Sequence, residues 1–221
     1  MSQNTRVVIC GAGIAGVGAA NLLSKDGIRD ILLMDERPPL TLTSDRSTEC
    51  YHNWWPDSEI LALMNRSIDL LEQLAEASAN VFRMNRRGYL YLTGEQEKVP
   101  AIQEQASRIS ESGGRPLRLH KSLAPDYSPA HPEAYRDHPD GADLLLGREA
   151  IKRCFPYATD SAVAALYVRR AGWLSAQQPG MHLLDGARAQ GVEFKSARLT
   201  GVETSAGRVS GLDRWNDTGE L

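Results

Sequence analysis

With 221 residues, 42% of them hydrophobic, the chain can bury a core as one large domain or two small ones without covalent staples. Its net charge of −3 offers no broad basic surface, which argues against a nucleic-acid partner. Cys10, Cys50 and Cys154 are odd in number and widely spaced, so they suit reduced thiols in a cytoplasmic setting better than a disulfide frame or a zinc site, and no apolar run is long enough to span a bilayer. The first element is the apolar run Val7-Val8-Ile9-Cys10, which empties into Gly11-Ala12-Gly13-Ile14-Ala15-Gly16 and an alanine-rich helix to Lys25, stopped at Gly27. This order predicts strand, phosphate loop and helix. Gly11 permits the tight turn, Gly13 lets the backbone approach a pyrophosphate, and Gly16 lets helix and strand lie close. A second strand over Ile31-Leu32-Leu33-Met34 ends in Asp35-Glu36-Arg37, about 20 residues past the glycines, where a ribose-binding carboxylate is expected. Together these form a βαβ dinucleotide half-site.

Pro38-Pro39 ends regular structure and opens a polar segment that carries Ser47, Thr48, Tyr51, His52, Trp54 and Trp55. So many rings in a loop beside a nucleotide half-site fit a pocket wall or, alternatively, a plug over the core. Asp57 or Ser58 caps a helix reaching about Ala77, with Ile60, Met64, Ile68, Leu71 and Leu74 as its apolar stripe. Val81–Met84 and Tyr89–Thr93 flank Gly88 and read as a hairpin, with Tyr89 and Tyr91 on one face and Leu90 and Leu92 on the other. A polar helix over 95–112 precedes a strand at 116–120, then a Pro-, His- and Asp-rich surface excursion over 121–141, whose His131 and His138 lack a metal-like cluster. A short helix from Arg148, a strand within 162–170, a turn at 172–175, a helix over 177–190 and a closing hairpin around Ser205-Ala206-Gly207 complete the chain.

The ordered set Gly11-x-Gly13-x-x-Gly16, Asp35, Gly88-Tyr89-Leu90-Tyr91, Phe155-Pro156 and Gly172-Trp173-Leu174 resembles the FAD-dependent D-amino acid oxidase, glycine oxidase and sarcosine dehydrogenase superfamily. The resemblance implies an α/β fold: a Rossmann-like FAD-binding domain from 1–78 and 148–221, with an inserted α+β substrate domain over 79–147. It implies FAD held by Gly11, Ala12, Gly13, Ile14, Ala15 and Gly16, with Asp35 on the ribose beside Glu36 and Arg37. It also places Ser47 and Thr48 along the flavin and Leu199 on the adenosine side. His52, Trp55, Tyr89 and Tyr91 are pocket candidates, and Arg46 or Arg169 could bind a substrate carboxylate. The implied reaction is oxidation of a small-molecule amine or amino acid by hydride transfer to flavin N5, with no metal. The family pattern continues past the hairpin that ends near Leu212, so the expectation includes a missing C-terminal part of the fold, supplied by a second polypeptide or lost. The alternatives are a non-catalytic nucleotide-binding subunit or remnant, and a plain NAD-binding dehydrogenase. The last is weakened because strand and helix stop alternating after Asp35.

Overall fold

The apolar runs at Val7 and Ile31 are the first two strands of the computed structural model, which describes residues 7–124, 127–131, 135–136 and 138–215. In chain order the elements are β1 (Val7–Cys10), α1 (Ile14–Lys25), β2 (Ile31–Asp35), β3 (Cys50–His52), α2 (Ser58–Ala77), β4 (Tyr89–Thr93), α3 (Val99–Ile109), β5 (Leu117–His120) and β6 (Ala142–Leu146). There follow α4 (Arg148–Cys154), β7 (Ala164–Val168), β8 (Ala171–Trp173), α5 (Gln177–Ala189), β9 (Glu193–Ser196), β10 (Arg198–Ser205) and β11 (Arg208–Trp215). Packing divides them into two compact units, Met1–Thr48 with Ala176–Leu221, and Glu49–Ser175. A division by ligand at 78/79 and 147/148 is a different kind of boundary, and it stays a proposal.

In the first unit β2 lies between β1 and β9, all parallel, with Val8 opposite Leu32 and Leu33 opposite Phe194. Ile31 to Met34 are all buried, which explains their unbroken apolar run: a parallel strand covered on both faces has no polar side to show. Val17 and Ala20 of α1 pack with Leu184 and Ala187 of α5 against Ile31 and Leu33. Asn21 Nδ2 pins the two helices by donating to the Leu183 carbonyl at 2.8 Å. Pro179 sits buried in the first turn of α5, where its missing N–H costs no helical bond. β10 and β11 form the expected hairpin, antiparallel from Arg198–Trp215 to Ser205–Arg208.

The second unit carries a four-stranded sheet in the order β4-β7-β6-β5, antiparallel except for the β5–β6 pair, and a small β3–β8 ribbon. Asp57 caps α2, its Oδ1 accepting from the N–H groups of Glu59 at 3.0 Å and Ile60 at 2.8 Å. Of the expected stripe Ile68 is fully buried, Met64, Leu71 and Leu74 are half-buried and Ile60 is exposed, while Leu61 and Ala75 complete the buried seam.

Three expectations are corrected here. Val81–Met84 is not a strand, and no hairpin turns at Gly88. The backbone of this segment is satisfied by β8 instead, Asn85 N–H donating to the Trp173 carbonyl at 3.0 Å and Gly88 N–H to that of Ala171 at 2.9 Å. The expected turn at 172–175 is therefore partly strand, with Tyr51 opposite Gly172. Ala142–Leu146, which had no assignment, is a central strand, and its Asp143 is fully buried. The connection from α2 to β4 is unusual: Ala79, Asn80 and Arg83 all adopt left-handed backbone, with φ of 52°, 54° and 54°. Asn80 braces it, its Oδ1 accepting from Met84 N–H at 2.8 Å and its Nδ2 donating to the Met84 carbonyl at 3.0 Å.

Candidate functional site

The glycine loop of the first unit follows directly from its sequence. Gly11 has φ of +104°, a conformation that side chains resist, and its N–H donates to the Met34 carbonyl at 2.7 Å, joining the turn to β2. A Cβ on Gly16 would sit 1.9 Å from the Gly11 carbonyl oxygen, so only glycine lets α1 begin this close to the turn. Beside Gly13 the space is open, with nothing within 4 Å of where a Cβ would lie. Helix α1 begins there with no side-chain cap and no acid in its first turn. Its first N–H groups and the positive end of its dipole are thus left for an anion, and the residues present fit a bound diphosphate.

Asp35 does more than end a strand. Its Oδ2 accepts from Ala12 N–H at 2.8 Å and its Oδ1 from Arg37 N–H at 2.9 Å, so the carboxylate holds the loop in shape. Glu36 is exposed, 3.7 Å from Arg37 and 3.6 Å from Arg198. Leu199 follows in β10, two residues past Ala197, whose N–H donates to the Asp35 carbonyl at 2.9 Å. Ile14 and Ala15 are exposed at the start of α1, whereas Ala12 is buried beneath the turn. Ser47 and Thr48 lie exposed on irregular backbone at the end of the same stretch.

The second unit brings all four pocket candidates together. His52 stacks on Trp55 with ring centroids 4.8 Å apart and planes at 17°, and lies 5.1 Å from Tyr89 and 6.5 Å from Tyr91. Tyr89 and Tyr91 are 4.8 Å apart on the shared face of β4, as alternation requires. Backbone bonds fix the corner: Trp54 N–H donates to His52 Nδ1 and Trp55 Nε1–H to the His52 carbonyl, each at 3.3 Å. Nδ1 therefore acts as acceptor, which puts the imidazole proton on Nε2. Burial holds the His52 pKa below its ordinary value, so the ring is neutral at physiological pH. Burial and the neighbouring Tyr89 keep the Tyr91 phenol protonated.

A groove of about 480 Å³ opens beside these rings, lined by His52, Trp55 and Tyr91 together with Trp54 and one face of α3. That face, Ile102, Gln105, Ala106 and Ile109, has helical three- and four-residue spacing, the signal by which sequence reasoning could have found it. Trp54 is buried, and its Nε1–H has no acceptor among the described residues. The Tyr51 phenol is committed elsewhere, donating to the Asn85 carbonyl at 2.6 Å.

Arg169 is not available to a substrate. Its Nε donates to Asp143 Oδ2 at 2.5 Å, its terminal nitrogens reach the Ser128 carbonyl, and the guanidinium lies over the rings of Tyr127 and Tyr167. Arg118 and His120 donate to Asp143 Oδ1 at 2.6 and 2.9 Å. Burial alone would raise the Asp143 pKa, but these bonds and the Arg169 charge outweigh it and hold the carboxyl below the usual range. Of the expected 121–141 excursion, residues 125–126, 132–134 and 137 lie outside the described residues; Ser128 is tied to the sheet through Arg169, and Ala130 N–H donates to the Tyr167 hydroxyl at 3.1 Å. Arg46 is exposed. Among the described residues no group of three His, Cys, Asp or Glu could hold a metal ion, and no helix is long and apolar enough to cross a membrane.

A family profile described as FAD dependent oxidoreductase matches residues 6–221. No curated protein sequence matches the chain. Among solved structures, L-proline dehydrogenase from P. horikoshii superposes with a TM-score of 0.74 at 18% identity, over 99% of this chain and 50% of that one. L-amino acid deaminase from Proteus vulgaris gives 0.74 at 17% identity, over 99% and 45%. Glycine oxidase from Bacillus cereus ATCC 14579 gives 0.72 at 14% identity, over 94% and 52%. At these identities the likeness is one of fold, and the chain spans about half the length of each of these proteins.

Proposed function

Since the chain belongs to the FAD-dependent oxidoreductase family, we propose that it forms the N-terminal part of an enzyme that oxidises an amine or amino acid. The observation that carries this reading is the pairing of a closed Gly16 with an open Gly13 at an uncapped helix start. Gly11 to Gly16 would hold the diphosphate through backbone N–H groups, with Asp35 or the more exposed Glu36 on the ribose and Ser47, Thr48 and Leu199 along the rest of the cofactor. Bound FAD would supply a two-electron acceptor for the hydride of the carbon that bears nitrogen. The chain's own residues would orient the substrate and exclude water, with His52, Trp55, Tyr89 and Tyr91 as its walls.

The proposal includes a further stretch of polypeptide that completes the fold, in this chain's full-length form or in a partner. Coverage of about half of each neighbour supports it, as does β4, which is an edge strand of its sheet among the described residues. It also keeps the flavin domain at 1–78 and 148–221 with the insertion at 79–147. Among the described residues no disulfide joins Cys10, Cys50 or Cys154, which supports a reducing, cytoplasmic setting.

The test is to purify the chain alone and together with its completing segment, record the flavin spectrum, and follow bleaching by amines and amino acids without oxygen. A yellow complex bleached by one of these classes is expected. Colourless protein in both preparations would overturn the flavoenzyme reading.

A further inference from the structure

We propose that the corner of His52, Trp55, Tyr89 and Tyr91, with the groove it opens onto, binds an organic ammonium ion whose apolar substituent lies along α3. This names a substrate class for the site above and draws its biological role from the amine-oxidation reading. The binding itself needs no flavin.

Ring faces attract cations through their quadrupoles, and several rings set at angles do so better than a flat stack. Here the planes meet at 39° between the tyrosines and 88° between His52 and Tyr91, which makes a corner. Trp55, Tyr89 and Tyr91 remain 36–40% exposed, so their rings are within reach of a ligand. The histidine in the corner is neutral and does not repel a positive charge. The charged groups along the groove, Glu95 and Lys98, are paired with each other at 2.5 Å and leave no net charge there. Discrimination by charge therefore falls to the rings. Beyond them Trp54, Ile102, Ile109 and Leu166 give an apolar floor for a substituent.

The experiment titrates tryptophan fluorescence of the purified chain with choline, with its uncharged carbon isostere 3,3-dimethyl-1-butanol, and with benzyltrimethylammonium. A quaternary nitrogen has no lone pair to form an imine, so turnover does not intrude. Choline is expected to bind at least tenfold more tightly than the alcohol, and benzyltrimethylammonium more tightly than choline. Tyr91→Leu should weaken both cations about tenfold and the alcohol less than twofold, while Tyr91→Phe keeps the ring and the affinity. Trp55→Leu serves as a second variant, and the circular dichroism spectrum of each checks folding. Equal affinity for choline and the alcohol, cation binding unchanged by both leucine variants, or no binding of any probe would overturn the proposal. A chain that binds the cations yet never holds flavin would overturn the redox reading and leave this one standing.

Discussion

The glycine loop and the aromatic corner are built from opposite materials. In the loop every contact that shapes the site is main chain or the single carboxylate of Asp35, and the informative residues are those without side chains. In the corner the main chain only places rings, and the surface offered is entirely side chain. A backbone site tolerates change in most neighbours but rejects one added carbon at a critical place. A ring site does the reverse, since each ring can be altered alone with little effect on the fold.

The largest expected effect breaks the support of the corner. Asp143→Asn removes the anion that two arginines share under the sheet carrying β4, and should cost about 3–5 kcal/mol in urea unfolding. The sign of the pH effect follows from the depressed Asp143 pKa. Its contribution is complete above the unfolded carboxylate value of about 4 and is lost as pH falls through the lower folded value. Acid unfolding of the native chain should show this loss below about pH 4, and the variant should not.

Next comes Gly16→Ala, expected to cost about 3 kcal/mol and to abolish flavin retention, because its Cβ meets a carbonyl that cannot move aside. Gly13→Val sharpens the contrast: the space there is open, so melting should be nearly unchanged while flavin retention is lost. If both variants retained flavin, the loop would not be the diphosphate site. Asp35→Ala, which frees the N–H groups of Ala12 and Arg37, should cost about 1–2 kcal/mol, with flavin affinity measured beside Glu36→Gln to decide which acid meets the ribose. The smallest effect is Trp55→Leu, within about 0.5 kcal/mol in thermal unfolding, as befits a half-exposed ring.

The loop was legible because glycine spacing encodes its geometry directly, and the same holds for the β2 run and the Asp57 cap. The four rings could be named from their density in a loop and from strand alternation, but their meeting depends on β3 pairing with β8 and β4 with β7, contacts that span about a hundred residues. Two kinds of feature stayed hidden. β6 escaped because a buried aspartate interrupts its apolar pattern, and the groups that neutralise it come from β5 and the end of β7. The false hairpin at Gly88 arose because local turn chemistry was right in kind, with φ of +83°, while the pairing partner lay far along the chain.

The braced connection between α2 and β4 bears on how much motion the rings retain. Three left-handed residues within five restrict this stretch to a rare backbone path, and the Asn80 side chain clasps it at both Met84 main-chain groups. Glycine at position 79 would relieve local strain in the native chain but widen the choices open to the denatured one, and the two effects nearly cancel. A D-alanine introduced there by semisynthesis would be at ease in the fold without that added freedom, and would make the tether of Tyr89 stiffer than the one nature wrote.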